Sequence, residues 1–522
     1  MAAALLAAAV VTLGRLLGWQ GVDMAAQVYR VDSLRRNGFT LWDFGWYGGH
    51  WTLDYSLLYP PLARWLGITA TTVASAALAA LAFDRLARRH LGEGAAVASL
   101  VFAAGTLVSA SIGQLTFLGG EAFGLGAVWA LSGRRRSLAV LLALGATLTS
   151  PLTGAFVALA GAAWALDRGW ERDRAGWWGV AVAAAAAVPV LVAAVVFPGD
   201  GPMPYPAVDW LWEMTVAAVV VALAGRRWRP LSIGGLLYMA TTTVSFAVPS
   251  ALGGNVGRLE DMVALPVALA LAWSRRRLLA PVAALPLALS QWAPAWGAFA
   301  VAPTAAAAHR SFYDPLVQVL AARAATGPPG RVEVVPTAWH WEAAWVAPVV
   351  PLARGWERQL DEADNPIFYR AGALNGASYR AWLMANGVRF VALPAAPLDM
   401  AGRAEGRLVS AGLVPGLHLV WRTPQWQLYL VAGSPGIVSG PAELVSTSAA
   451  RIQVDVRAAG IVAVRVRWTP DWYVASGSGC VSGRGGWIDL HASRPGPVSL
   501  ELSPLHPGRG ACPGPTLTAR RG

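Results

Sequence analysis

Four aspartates, Asp23, Asp32, Asp43 and Asp54, recur through the polar stretch from Gly21 to Pro61, among Tyr29, Trp42, Trp46, Tyr47, Trp51, Tyr55 and Tyr59 and with His50 between them. A carboxylate at a membrane edge is partly desolvated, so its proton affinity can be tuned for general-base work on a hydroxyl or for holding a divalent cation. Asp23 stands where the first apolar run ends and fits either task. Asp43, in LWDFGWYGGH, and His50, seven residues on, can supply a second acid, a ligand or a hydrogen bond to a sugar. Gly48 and Gly49 let the backbone approach a substrate closely. Plainer readings stand beside these. A water-exposed loop anchored by an aromatic belt has the same composition, Asp23 can simply N-cap the stretch from Met24 to Arg36, and Asp54 reads as solvated.

Within the apolar part, Gln114 and Glu121 fall in GQLTFLGGEAFGLG, about two helical turns apart. An ionisable side chain inside a span costs a few kcal/mol, which points to function unless a neighbouring helix hydrogen-bonds it. Arg258 is nearly the only cation in the turns that face away from the arginine clusters. It can meet a lipid phosphate, or pair with Glu260 or Asp261. The two cysteines, Cys480 and Cys512, are a disulfide pair if their end of the chain lies in an oxidising compartment, and buried thiols otherwise. No Walker-type glycine loop, CxxC, HExxH or GxSxG occurs, which argues against an ATP-driven pump, a zinc protease or a serine hydrolase.

A membrane-embedded scaffold must position these residues. Of 522 residues, 56% are hydrophobic and only 13% charged, and the mean hydropathy is +0.47, values of a polytopic membrane protein. The opening run from Ala2 to Trp19 lacks a basic lead and a clear small-residue cleavage site, so it reads as a first span rather than a removable signal. The net charge of +12 rests on arginine alone. Five clusters of three arginines, at 85–90, 134–136, 167–174, 226–229 and 275–277, alternate with turns nearly free of cations at 111–114, 150–151, 197–206 and 250–257. This is the positive-inside pattern and not a nucleic-acid groove. With the N-terminus cytoplasmic it predicts about eleven spans, near 2–19, 66–84, 95–111, 115–132, 138–150, 151–166, 176–197, 208–225, 231–249, 259–274 and 278–303. The fifth and sixth are short and suit a hairpin around Ser150 and Pro151 that lines a cavity.

An odd number of spans puts everything after Pro303 outside the cytoplasm, together with the first loop, residues 20–61. From His309 onward charges appear every few residues. RVEVVP at Arg331, VRFVALP at Val388, LHLVWRTPQWQLYLV at Leu417, and RIQVDV and VAVRVRW after Arg451 alternate like strands. SYRAWLMANG at Ser378 reads as a helix closed by Asn-Gly. The expected organisation is a polytopic α-helical membrane domain, 1–304, followed by an extracytoplasmic α/β domain, 305–435, and a β-rich, sandwich-like domain, 436–522.

The pattern of Gly21, Asp23, Tyr29 and Arg30, followed by NGF, LWD and WYGGH and by YPP at Tyr59 to Pro61, resembles the first exterior loop of oligosaccharyltransferase catalytic subunits. The chain is thereby similar to GT-C fold glycosyltransferases that use polyprenyl-phosphate sugars. GQLTFLGGEAF, SPLTG at Ser150, NPIFY at Asn365 and WLMANGVRFVALP look like segments of actinobacterial membrane proteins of this type, some labelled as related to 6-pyruvoyl-tetrahydropterin synthase. The resemblance implies an Asp of this loop as base or metal ligand, here Asp23; any divalent cation would be Mg or Mn, with Asp43 the other candidate ligand. The family often carries a second acidic motif in the next exterior loop; here that turn is only SIGQ, and Glu121 would stand in. Tyr29, Arg30, Trp46, Tyr47, His50, Tyr59, Gln114 and Arg258 are the expected substrate contacts. The implied reaction passes a sugar from a polyprenyl-phosphate donor to a cell-envelope glycan, lipid or protein at the plasma membrane. The rival readings are a transporter or flippase for a lipid-linked or small solute, against which the lack of visible two-fold repeats speaks, and a non-catalytic scaffold for envelope assembly.

Overall fold

The computed structural model describes every residue except 54, 170–174, 198–200, 276–279, 449, 505–507, 509 and 513–522. Asp54, the later arginines of the 167–174 cluster, part of the 197–206 turn, and Arg276 and Arg277 therefore lie outside the described residues. The chain divides into two compact units, one formed by Met1–Arg35 with Leu53–Ala308 and the other by Arg36–Thr52 with His309–Gly522.

The first unit is helical. Its helices are α1 (Ala2–Leu16), α2 (Met24–Asn37, whose last residues pass into the second unit), α3 (Tyr59–Leu66), α4 (Ile68–His90), α5 (Ala95–Ile112), α6 (Leu115–Ser132), α7 (Arg136–Thr149), α8 (Pro151–Arg168), α9 (Ala175–Val196), α10 (Ala207–Ala224), α11 (Arg229–Ala247), α12 (Arg258–Arg275), α13 (Ala280–Trp292) and α14 (Trp296–Ala300). Five of the described helices, α4, α5 with the turn before it, α6, α9 and α10, are long and apolar enough to cross a membrane. That is fewer than the arginine pattern predicts. At 15 and 14 residues, α1 and α7 fall short of the about 20 a bilayer requires. The expected last span is divided into α13, which runs on through Pro286, a 3-10 turn at Ala293–Ala295 that contains Pro294, and α14. α4, α5 and α6 are more than half buried, whereas α9 and α10 are only 17% and 22% buried and turn apolar side chains outward.

Local chemistry sets the corners. α5 ends at Gly113, whose φ of 99° is the left-handed helix stop that favours glycine. α7 and α8 form a hairpin at Ser150, where the Ser150 hydroxyl accepts from the Thr153 amide and Pro151 opens the next helix.

The second unit mixes helices and sheets. It contains α15 (Arg310–Ala325), α16 (Glu342–Trp345), α17 (Arg358–Asp364), α18 (Gly376–Ala385) and α19 (Arg403–Ser410). Two short strands, β1 (Trp42–Asp43) and β2 (His50–Trp51), pair within the segment contributed by the first loop. A four-stranded sheet follows, in the order β3 (Arg331–Val334), β4 (Val388–Pro394), β6 (Trp426–Val431), β5 (Leu417–Arg422). β3 and β4 are parallel, so the chain between them must cross over, and it carries α16, α17 and α18 as it does so. Asn375 and Ser378 cap α18 reciprocally.

The remaining strands are β7 (Val438–Ser439), β8 (Ala442–Ser448), β9 (Arg451–Val456), β10 (Gly460–Arg467), β11 (Trp472–Ser476), β12 (Gly479–Arg484), β13 (Trp487–Ala492) and β14 (Gly496–Leu502). They make two antiparallel sheets, β12-β13-β10-β7 and β11-β14-β9-β8. Alternate residues Ile452, Val454 and Val456 of β9 and Val462, Val464 and Val466 of β10 point inward and are buried. Cys480 of β12 is joined to Cys512 by a disulfide across 32 residues of sequence.

Candidate functional site

In the first unit, the chain leaving α1 is pinned to the turn between α5 and α6. The Gly21 amide donates to the Ser111 carbonyl at 2.6 Å and the Asp23 amide to the Ile112 carbonyl at 3.0 Å. The approach needs a glycine on the other side, because a Cβ on Gly113 would collide with the Met24 amide nitrogen. Asp23 is thus a half-buried residue at a rigid corner, directly before α2. Gln114, on the same turn, is the residue before α6. Glu121 follows about 10 Å along that helix. It is 6% exposed, and its Oε2 has no hydrogen-bond partner among the described residues.

Arg258 belongs to the same end of the unit. It starts α12, and one turn on, Met262 receives a contact from the Ser109 hydroxyl of α5 at 3.2 Å, three residues before the carbonyl that holds Asp23. No ion pair to Glu260 or Asp261 forms within salt-bridge distance of Arg258 among the described residues, although Arg258 acts electrostatically on Asp261. Glu213, for which the sequence offers no partner, accepts from the Tyr205 hydroxyl and abuts Gly257. Glu260 is buried, with Oε2 unpaired among the described residues.

The other predicted contacts on α2 and α3 are packed inward. Tyr29 is buried. The Arg30 guanidinium lies 3.6 Å over the Tyr55 ring, and Gln27 donates to the Tyr55 hydroxyl at 2.9 Å. The Tyr59 hydroxyl is 3.4 Å from Thr72 Oγ1, and its ring lies beside Gly119 of α6. Asp23 and Gln114 therefore flank the α5–α6 turn, Glu121 lies about 10 Å further along α6, and Arg258 opens α12.

Asp43, Trp46, Tyr47 and His50 are in the second unit. Asp43 Oδ1 accepts from the Gly45 amide at 2.6 Å, a local turn bond that uses the carboxylate. Trp46 is fully buried, stacks on His50 with ring centroids 5.5 Å apart, and donates through Nε1 to the Ala343 carbonyl. Tyr47, also fully buried, donates to the Glu357 carbonyl at 2.9 Å. The chain turns through Tyr47, Gly48 and Gly49 with φ of 57°, 83° and 116°. Side chains on these glycines would strike Trp487 and Trp42. Here the glycines admit the protein's own tryptophans, and the Trp46 and Tyr47 ring faces are covered by neighbours in the same unit.

The second unit also holds a charged interior that no sequence motif announced. Arg354 is buried and reaches Asp361 Oδ2 at 2.5 Å, Glu405 Oε2 at 3.0 Å and Glu333 Oε1 at 3.8 Å. Tyr379 donates to Glu405 at 2.6 Å, Tyr369 to Asp361 at 2.5 Å and Asn365 to Asp361 at 2.9 Å. Burial, then the neighbouring Glu405 charge, pushes the Glu333 carboxyl well above its ordinary value. His340 bridges two carboxylates, with Nδ1 3.6 Å from Glu342 and Nε2 3.5 Å from Asp399, and Arg358 pairs with Asp399 at 2.9 Å. Burial by itself lowers the His340 pKa, but its bonds to Asp399 and Glu342 and their charges outweigh this and raise it to about 9. Burial works to raise the Asp399 pKa, yet His340 and Arg358 hold it well below the usual carboxylate range. The sequence signal for this cluster was faint. RVEVVP, SYRAWLMANG and NPIFY carry Glu333, Tyr379, Asn365 and Tyr369, but they stand out as a strand, a helix and a family-like segment and not as a charged cluster, and Arg354, Asp361 and Glu405 lie in no such motif.

Among the described residues no group of three or more His, Cys, Asp or Glu side chains is placed to hold a metal ion. Asp23 and Asp43, the expected Mg or Mn ligands, belong to different units. Comparison of the chain with protein-family models and with curated proteins finds no match.

Proposed function

We propose that the protein is a plasma-membrane glycosyltransferase of GT-C type that moves a sugar from a polyprenyl-phosphate donor to a cell-envelope glycan, lipid or protein outside the cytoplasm. The observation that carries this reading is the backbone clamp of Gly21 on Ser111 and of Asp23 on Ile112, which holds a carboxylate at the end of the bundle that also carries Gln114 and Arg258. In the proposed reaction an acceptor hydroxyl oxygen attacks the anomeric carbon, and its proton passes to an Asp23 carboxylate oxygen. The bond from that carbon to the phosphate oxygen breaks, and its electron pair leaves with the polyprenyl phosphate, whose charge Arg258 neutralises. Glu121, with an unpaired buried oxygen, would accept a hydrogen bond from a sugar hydroxyl. About eleven spans, a cytoplasmic N-terminus and an extracytoplasmic second unit belong to the same proposal.

The test is release of polyprenyl phosphate by the reconstituted protein. Asp23→Asn is expected to cut the rate by about 100-fold or more while leaving the protein in the membrane. Unimpaired release by that variant disposes of the mechanism. Buried Glu213 and Glu260 favour a second reading, a transporter in which intramembrane carboxylates carry the coupling. Movement of the lipid-linked sugar across the bilayer without cleavage selects it.

A further inference from the structure

A groove of about 770 Å³ opens in the first unit where α3 passes into α4, lined by Arg35, Leu66, Ile68, Val73, Ala74 and Ala77 among others. Its walls are mostly apolar, with Thr69 among them, and Arg35 is the only charged side chain among the described residues that line it. Arg35 is exposed and makes no hydrogen bond or ion pair among the described residues. Its place is fixed by its neighbour, since Arg64 of α3 donates to the Leu34 carbonyl at 3.2 Å and holds the end of α2 against α3. Trp65, 82% exposed, and the partly exposed Leu66 stand beside it, as aromatic and apolar residues do at a membrane interface. α4 starts from Gly67 with no side-chain cap, so its first amides have no side-chain acceptor, and residues of its first turn line the same groove.

An unpaired guanidinium on the wall of a mostly apolar groove selects an anion with a hydrocarbon tail. A free phosphate would leave the trough unfilled, and a neutral lipid would leave the arginine unpaired. We propose that this groove binds an anionic glycerophospholipid of the surrounding bilayer, with its phosphate on Arg35 and an acyl chain along Leu66, Ile68, Val73 and Ala77. Arg35 lies twelve residues beyond Asp23 on the α2 stretch, about 18 Å along a helix axis, so the site is separate from the proposed reactive end and does not depend on it.

The test uses the full-length protein in neutral detergent, offered phosphatidylglycerol or phosphatidylcholine and examined by native mass spectrometry. The unsubstituted protein is expected to retain phosphatidylglycerol roughly tenfold better, the worth of one charge-assisted phosphate bond. Arg35→Gln should abolish that preference, Arg35→Lys should restore part of it, and Ala74→Trp, which fills the trough, should reduce retention of both lipids. Equal retention of the two lipids by the unsubstituted protein, or an undiminished preference in Arg35→Gln, overturns the proposal. So does displacement of the bound phosphatidylglycerol by an equimolar polyprenyl phosphate in an Arg35-dependent manner, which would make the groove a carrier-lipid site instead.

Discussion

Arg467 donates through Nε to the carbonyl of Tyr47 at 3.0 Å, joining positions 420 residues apart in sequence, and its amide donates to the carbonyl of Gly48. The first-loop segment Arg36–Thr52 is by these bonds a structural part of the second unit. Trp46, fully buried and bonded to Ala343, is its largest anchor. Trp46→Ala is expected to cost the second unit about 3–5 kcal/mol, read as a lower unfolding midpoint of the full-length protein with the helical signal retained. An unchanged midpoint would mean that the segment is dispensable there.

Arg354 is the sole cation within salt-bridge distance of Glu333, Asp361 and Glu405 among the described residues. Arg354→Met strands buried carboxylates and should destabilise the unit by about 3–5 kcal/mol. Denaturant unfolding measures this directly, and a loss below about 1 kcal/mol would contradict the burial of the group.

His340 makes stability depend on pH with a definite sign. Its folded-state pKa of about 9 lies above the ordinary imidazole value near 6.5. The stabilisation is therefore complete below about pH 6.5 and is lost as pH rises through about 9, on the order of 3 kcal/mol in all. His340→Gln should flatten the fall in unfolding midpoint between pH 6.5 and 9.5, where the unsubstituted protein loses stability.

The Cys480–Cys512 bridge closes a loop of 32 residues. Loop entropy assigns such a crosslink about 3–4 kcal/mol. Cys480→Ser, compared with the oxidised protein by thermal unfolding, should show a loss of that order, and thiol reagent should have no further effect on the variant.

Gly113 has φ of 99° and faces the Met24 amide. Gly113→Ala combines a strained backbone with a steric clash, together costing more than about 1 kcal/mol. It should also shift Asp23 from its corner, so release of polyprenyl phosphate should fall further than in a variant of equal stability loss made far from the turn, such as Ala143→Gly.

Much of the fold was legible because local chemistry dictates it. The Ser150–Pro151 corner follows from a capping hydroxyl and a residue without an amide hydrogen, and the strands after Arg451 follow from alternation that a half-buried sheet enforces. The apolar runs of α4, α5, α6, α9 and α10 carry their own signature, since a span must satisfy its backbone within itself. The break at Pro294 was equally local, and it divides the expected last span into α13, a 3-10 turn and α14.

The charged interior was not legible. Glu333, Arg354 and Glu405 are separated by 21 and 51 residues, and although Asp361 follows Arg354 by seven, no local period links the four. The same holds for the first loop. Composition alone determined that residues 20–61 form a polar, aromatic insertion between apolar segments. Only the tertiary structure decided that Asp23 stays with the α5–α6 turn while Asp43, Trp46, Tyr47 and His50 pack with residues more than 290 positions away, such as Ala343. The reason is physical. Period and propensity are written within a few residues of sequence, whereas the partner of a buried indole or guanidinium is chosen by which distant groups the fold brings within about 3 Å.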